Sequence, residues 1–251
     1  MKSKCDVLKE RDYTNCILGI TFRFIKPHTP WLPTGYANLI PWMRLGTLLE
    51  FANTKIPYRD GEIKRNLRKI CDIPRMSTFA IGAIISEGVS QMKDTQVFVN
   101  VGVWHGFTLL SAIISNPQKR CIGVDNFSEF GSPREAFFKR FDRYRRAHHS
   151  FYEMDCLEYF SKVHKGLIGF YVYDGNHDYK NQLKGLQAAE PFFSENCIIL
   201  IDDANYDGVR QVTADFISSS SYEYRIILDR TTCCNYHPTF WNGIIVLQRI
   251  R

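Results

Sequence analysis

Three aspartates in the second half of the chain stand where short apolar runs end. Asp174 follows Ile168–Tyr173, and Asp202 and Asp203 follow Asn196–Ile201. Carboxylates gathered on one rim repel and raise one another's pKa. A divalent cation relieves that repulsion, and Mg²⁺ takes a few carboxylates together with water and substrate oxygens. His177 closes the run Asp174-Gly-Asn-His177 and adds an imidazole, whose ordinary pKa suits it to accept a hydroxyl proton near neutrality. The same acids would also serve as helix caps and solvated turns.

A second group lies upstream. The run Gln96–Val103 contains Asn100, Gly102 and, just beyond, Gly106. Glycines there let the backbone approach a ligand, and the helix that follows offers its N-terminus. Glycine also serves a tight strand-to-helix turn for steric reasons alone. Asp125 ends the run Arg120–Val124, about 20 positions beyond Gly102, where an acid accepts the two hydroxyls of a ribose. Asp155 follows Ser150–Met154. It would bond an adenine amino group or cap the helix Leu157–Val163, and the residues leave both open. The dinucleotide pattern GxGxxG is absent, which counts against a nicotinamide cofactor.

These residues need a sheet whose strand ends share one rim, and the pattern supplies one. Short apolar runs alternate with helical stretches: Phe107–Ser115, Pro133–Arg146, Leu157–Val163, Tyr179–Glu190 and Asp207–Ser218. Tyr224–Leu228 and Gly243–Arg249 complete seven strands, with only a loop between these two. The expected fold is therefore α/β and Rossmann-like: a mostly parallel sheet, an antiparallel last strand and helices on both faces. Ligands bind at the carboxyl ends of such strands.

Residues 1–95 read differently, as a helix and loop extension to a domain spanning 96–251. Pro27, Pro30, Pro33, Pro41, Pro57 and Pro74 are interspersed with Trp31, Tyr36, Trp42, Phe51 and Tyr58. This part suits a substrate cover or a subunit contact in a homo-oligomer. Its last stretch, Ser77 to Met92, is expected to be a helix with Ser77 as N-cap.

The chain has 251 residues, 45% of them hydrophobic and 23% charged, enough apolar surface for a sizeable core. A net charge of +6 is a mild basic excess, read as an anionic substrate or surface rather than nucleic acid. The helix around Arg134, Lys139, Arg140, Arg143, Arg145 and Arg146 carries part of it, as a solvated face or as a contact to a phosphorylated or nucleotide-linked substrate. Eight cysteines without a CxxC pair fit buried thiols in a reducing, cytoplasmic compartment, with the vicinal Cys233 and Cys234 set apart. No run is apolar for long enough to span a membrane. Trp241, before the last strand, packs at the sheet edge or offers a substrate a stacking surface.

Taken together, Val99-Asn-Val-Gly-Val-Trp-His-Gly106, Gly123-Val-Asp125, Asp174-Gly-Asn-His177 and Ile201-Asp-Asp203 resemble class I S-adenosylmethionine (SAM)-dependent methyltransferases. More narrowly, they are similar to the group holding macrocin-type sugar O-methyltransferases and cephalosporin-hydroxylase-like proteins. The resemblance covers about 95–250. It implies that Gly102 and Gly106 hold the methionine part of SAM and that Asp125 holds its ribose; Thr108 and Asp155 join them as candidate cofactor-binding residues. It further implies Mg²⁺ on Asp174, Asp202 and Asp203, with His177 as general base beside Asp174. The acceptor would be a hydroxyl of a sugar, another diol-bearing small molecule or a glycan precursor. The group usually has an acid where this chain has Asn100, toward the amino group of SAM.

Two further readings follow from the same residues. One is a metal-free enzyme using His177 or Asp174 directly. The other is a catalytically inactive SAM-binding or scaffold module, which Asn100 favours and the gathered acids disfavour.

Overall fold

The computed structural model describes residues 13–30 and 40–250. Cys5, Trp31, Pro33 and Tyr36 lie outside the described residues, as do the side chains of Pro41 and Trp42. The strands of the main sheet are β1 (Gln96–Val101), β2 (Arg120–Asp125), β3 (His149–Glu153), β4 (Leu167–Tyr173), β5 (Phe193–Asp202), β6 (Tyr224–Arg230) and β7 (Ile244–Arg249). Every residue of β1 is buried, as a central parallel strand covered on both faces requires. The order across the sheet is β3-β2-β1-β4-β5-β7-β6. β3 through β5 pair in parallel, and β7 runs antiparallel to both β5 and β6. The expected fold class holds, including the direction of the last strand.

Helices α1 (Tyr13–Leu18), α2 (Ile40–Asn53), α3 (Asp60–Leu67) and α4 (Phe79–Gln91) precede the sheet, and the two-residue strands Thr21–Phe22 and Thr54–Lys55 pair between them. Next come α5 (Phe107–Ser115), α6 (Arg134–Tyr144), α7 (Cys156–Lys162), α8 (Tyr179–Ala189) and α9 (Asp207–Ser219). Alternate residues of β1 feed two cores. Phe98 packs with α4, α5 and α6, while Val97, Val99 and Val101 pack with Tyr159, Leu186 and Phe216 of α7, α8 and α9. Each fully buried large side chain contributes about 1.5–3 kcal/mol. α4 is buried along nearly its whole length within the first core, so this part of the N-terminal region is packed against the sheet domain.

Local departures have local causes. Ser77 does not cap α4. Thr78 does, its hydroxyl accepting from Ile81 N at 3.5 Å while donating to Thr239 O at 2.6 Å. β1 stops at Val101 because Gly102 turns the chain at φ +76°, and β7 starts after Gly243 at φ +83°. β5 begins earlier than expected, at Phe193, whose ring fills the second core. Cys16, Cys71, Cys121 and Cys197 are buried thiols, and the thiols of Cys233 and Cys234 lie 3.9 Å apart. No helix of the described residues is long and apolar enough to cross a membrane.

Candidate active site

The carboxyl ends of β1, β2, β4 and β5 open into one cavity of about 580 Å³. Gly102, Thr108, Asp125, Asp155, Asp174, His177, Asp202 and Asp203 all line it. Gly102 is required there on steric grounds. A Cβ at that position would stand 1.8 Å from Asp174 O, so the turn after β1 and the end of β4 touch backbone to backbone. Asp125 braces the same turn: Oδ2 accepts from Val103 N and Trp104 N at 2.7 and 2.8 Å, and Oδ1 accepts from Phe127 N at 2.7 Å. A carboxylate offers about four acceptor positions, so little of Asp125 is left over. Asp155 caps α7, accepting from Leu157 N and Glu158 N, while still facing the cavity.

Asn100 and Gly106 do not line the cavity. Asn100 is fully buried; its amide nitrogen donates to Val101 O and Gly102 O, and its oxygen is buried without a partner. Gly106 turns the chain into α5 at φ +98°. Both shape the turn from behind.

The other rim holds the acids. β4 and β5 are neighbours in register, Tyr173 opposite Ile201, so Asp174 and Asp202 emerge side by side. Burial, the neighbouring Asp174 and then Asp203 push the Asp202 carboxyl far above the carboxylate range. Asp174 is pushed up to about 6, chiefly by burial and against the pull of His177. Asp202 Oδ1 is buried with no hydrogen-bond partner. Asp203 stands at φ +63°, its Oδ1 accepting from Asn242 Nδ2 at 2.8 Å.

His177 bridges the rim. Its Nδ1 is 3.2 Å from Gln182 Oε1, and Gln182 Nε2 donates to Thr213 Oγ1, which fixes the amide orientation. The proton of a neutral ring therefore sits on Nδ1, and Nε2 presents a lone pair. Nε2 is buried without a hydrogen bond, 4.0 Å from both Asp174 Oδ1 and Asp203 Oδ2. Burial lowers the His177 pKa, but the neighbouring Asp174 and Asp203 carboxylates outweigh it and leave the pKa raised.

Among the described residues, no group of three or more His, Cys, Asp or Glu side chains is arranged to hold a metal ion. Asp174, Asp202 and Asp203 share the cavity without forming a ready cage, because Asn242 holds one oxygen of Asp203. The donor types do suit a hard cation: an unpartnered buried carboxylate oxygen on Asp202 stands beside a second strained carboxyl.

Several residues at or behind the cavity wall were not singled out in the sequence. Gln182 orients His177 from α8, and nothing local to it marks that role. Arg75 and Met76 reach the cavity from the N-terminal region, with Arg75 bound to Glu50 at 2.8 Å. Tyr206 and Tyr236 stand exposed at the mouth, and Trp241 meets Tyr236 edge to face, so it packs and lines at once. The basic helix is mostly a solvated face: Arg134 pairs with Glu153 and Arg145 with Asp142.

Residues 99–204 match the family model of a methyltransferase domain. No curated protein matches the chain in sequence. Solved structures share its fold. A methyltransferase from Podospora anserina with bound S-adenosylhomocysteine (SAH) gives a TM-score of 0.55 at 12% identity, over 90% of this chain and 100% of the other. An O-methyltransferase from Bacillus cereus in complex with SAH gives 0.52 at 11%, over 75% and 89%. The Streptomyces achromogenes O-methyltransferase of tomaymycin synthesis, in complex with SAM, gives 0.52 at 10%, over 76% and 89%. At these identities the likeness is one of fold.

Proposed function

We propose that this chain, whose residues 99–204 match the family model of a methyltransferase domain, moves the methyl group of SAM to a hydroxyl of a sugar or other diol-bearing small molecule or glycan precursor. The observation that carries this reading is the state of His177. Gln182 leaves its Nε2 as a raised-pKa lone pair, and His177 lines the cavity that Gly102, Thr108, Asp125 and Asp155 also line. A hydroxyl placed there loses its proton to Nε2, and its oxygen attacks the methyl carbon in line with the departing thioether. Asp174 and Asp203 stabilise the imidazolium that forms.

In this reading Asp125 meets the ribose with its remaining acceptor capacity, Asp155 the adenine edge, and Gly102 and Thr108 the methionine part. Asn100 and Gly106 act by shaping the turn. Asp174, Asp202 and Asp203 would hold a divalent cation, for which the orphaned Asp202 oxygen is the support. Such a cation supplies positive charge that lowers the pKa of a coordinated substrate hydroxyl. The N-terminal region covers the acceptor through Pro74, Arg75, Met76 and Ser77.

Calorimetry tests this. SAM binding in the micromolar range, lost in Asp125→Ala, supports the donor. A Mg²⁺ heat lost in Asp202→Ala supports the metal. No SAM binding with or without Mg²⁺ sinks the catalytic reading in favour of an inactive scaffold.

A further inference from the structure

The cavity is acidic. Asp125, Glu129, Asp155, Asp174, Asp202 and Asp203 line it, and the Arg75 guanidinium is committed to the buried Glu50 carboxylate at 2.8 Å. That field suits a sulfonium and an ammonium group and repels a carboxylate. SAM carries all three, so its carboxylate needs a corner of opposite character.

One corner has it. His105 lines the cavity from the turn between β1 and α5. Its Nδ1 lies 3.0 Å from Arg140 Nη1 on α6. A guanidinium only donates, so Nδ1 accepts and the ring proton sits on Nε2. Burial first, and the Arg140 charge second, pull the His105 pKa down to about 4, so the ring stays neutral at physiological pH. Its Nε2–H is not among the buried groups lacking a partner and has no hydrogen bond to a described residue. Arg140 is half-buried, and no carboxylate of the described residues lies within ion-pair distance of it, whereas Arg134 and Arg145 each have one. A half-buried cation without a counter-charge, joined through one imidazole to a ligand cavity, is an anion site in waiting.

We propose that His105, backed by Arg140, receives the α-carboxylate of SAM: Nε2–H donates to a carboxylate oxygen while the guanidinium on the far side of the ring balances its charge. The inference rests on SAM being the methyl donor. Glycine and threonine at Gly102 and Thr108 shape this end of the site, but His105 makes it selective for an intact amino-acid terminus.

The test compares the affinities of SAM and decarboxylated SAM by calorimetry on the full chain. The wild type is expected to prefer SAM by about tenfold or more, the scale of one charge-assisted hydrogen bond. His105→Ala is expected to lower that preference to about threefold or less by weakening SAM, with decarboxylated SAM bound as before. Arg140→Gln is expected to fall between the two. Should His105→Ala lose both ligands through misfolding, His105→Gln and Arg140→Gln are read by the same ratio. A wild-type preference that survives in these variants overturns the proposal. So does a wild type that binds both ligands equally. An inorganic phosphate heat on the SAM-loaded protein that disappears in His105→Ala, with the preference unchanged, assigns the corner to an anionic acceptor instead and overturns it too. Failure of the wild type to bind either ligand is a different result, since it removes the donor reading itself.

Discussion

The two halves of the cavity rim use the same residue in opposite ways. On the β2 and β3 side, Asp125 and Asp155 end strands and commit their oxygens to backbone N–H groups of the next turn or helix. On the β4 and β5 side, Asp174 and Asp202 end strands and face each other, with raised pKa values and a buried oxygen that nothing satisfies. An aspartate at a strand end is thus a structural brace or a strained reactive group according to what the neighbouring strand end presents. Braces stabilise the fold; the strained pair stores an unfavourable interaction that a ligand can relieve.

The largest effect is expected where the strained side does chemistry. His177→Ala should lower kcat by about 10²–10⁴-fold while SAM affinity stays within about twofold, read from initial rates and calorimetry. Because the base must be unprotonated, wild-type kcat/KM should rise with pH through the His177 pKa, at a midpoint above 6.5. An unchanged rate would reduce this rim to a structural feature.

Gly102→Ala probes the contact that joins the two sides. A Cβ there meets Asp174 O at 1.8 Å, in a backbone conformation that disfavours side chains. Denaturant titration should find about 3 kcal/mol or more of lost stability, together with lost SAM binding.

Smaller and opposite in sign are two aspartate replacements, compared by thermal melting in metal-free protein. The folded state raises the pKa of Asp202, so its favourable contribution is present below 3.8 and is lost as pH rises through the folded value. Asp202→Asn should therefore match the wild type near pH 4 and melt higher at pH 8, by about 2–4 °C for each kcal/mol relieved. Asp155→Ala removes a helix cap and should cost about 1 kcal/mol at pH 8. If both variants move in the same direction at pH 8, the contrast between the two sides is wrong.

Much of this was legible in the residues. Alternating apolar runs marked every strand of the main sheet, because two-sided burial demands continuous apolar character. The site aspartates were legible by position, since strand ends of a parallel sheet share one rim. The cap of α4 was missed by one residue, as Ser77 and Thr78 are chemically alike and only the approach of Thr239 distinguishes them. Gln182 and Asn242 carried no readable signal, and Arg140 was legible only as one of several basic residues on its helix. Each acts across space on a residue far away in sequence or on another element, and no periodicity records that.

The order of elements, the glycine turn and the identity of the acids belong to the sequence by itself, because they follow from hydrophobic spacing and side-chain chemistry. Which aspartate is braced and which is strained, which nitrogen of His177 and of His105 holds its proton, and whether Asn100 touches the cavity were decided by the tertiary structure alone. A carboxylate or an imidazole takes its charge and tautomer from the groups that surround it, and folding brings those groups from other strands and helices.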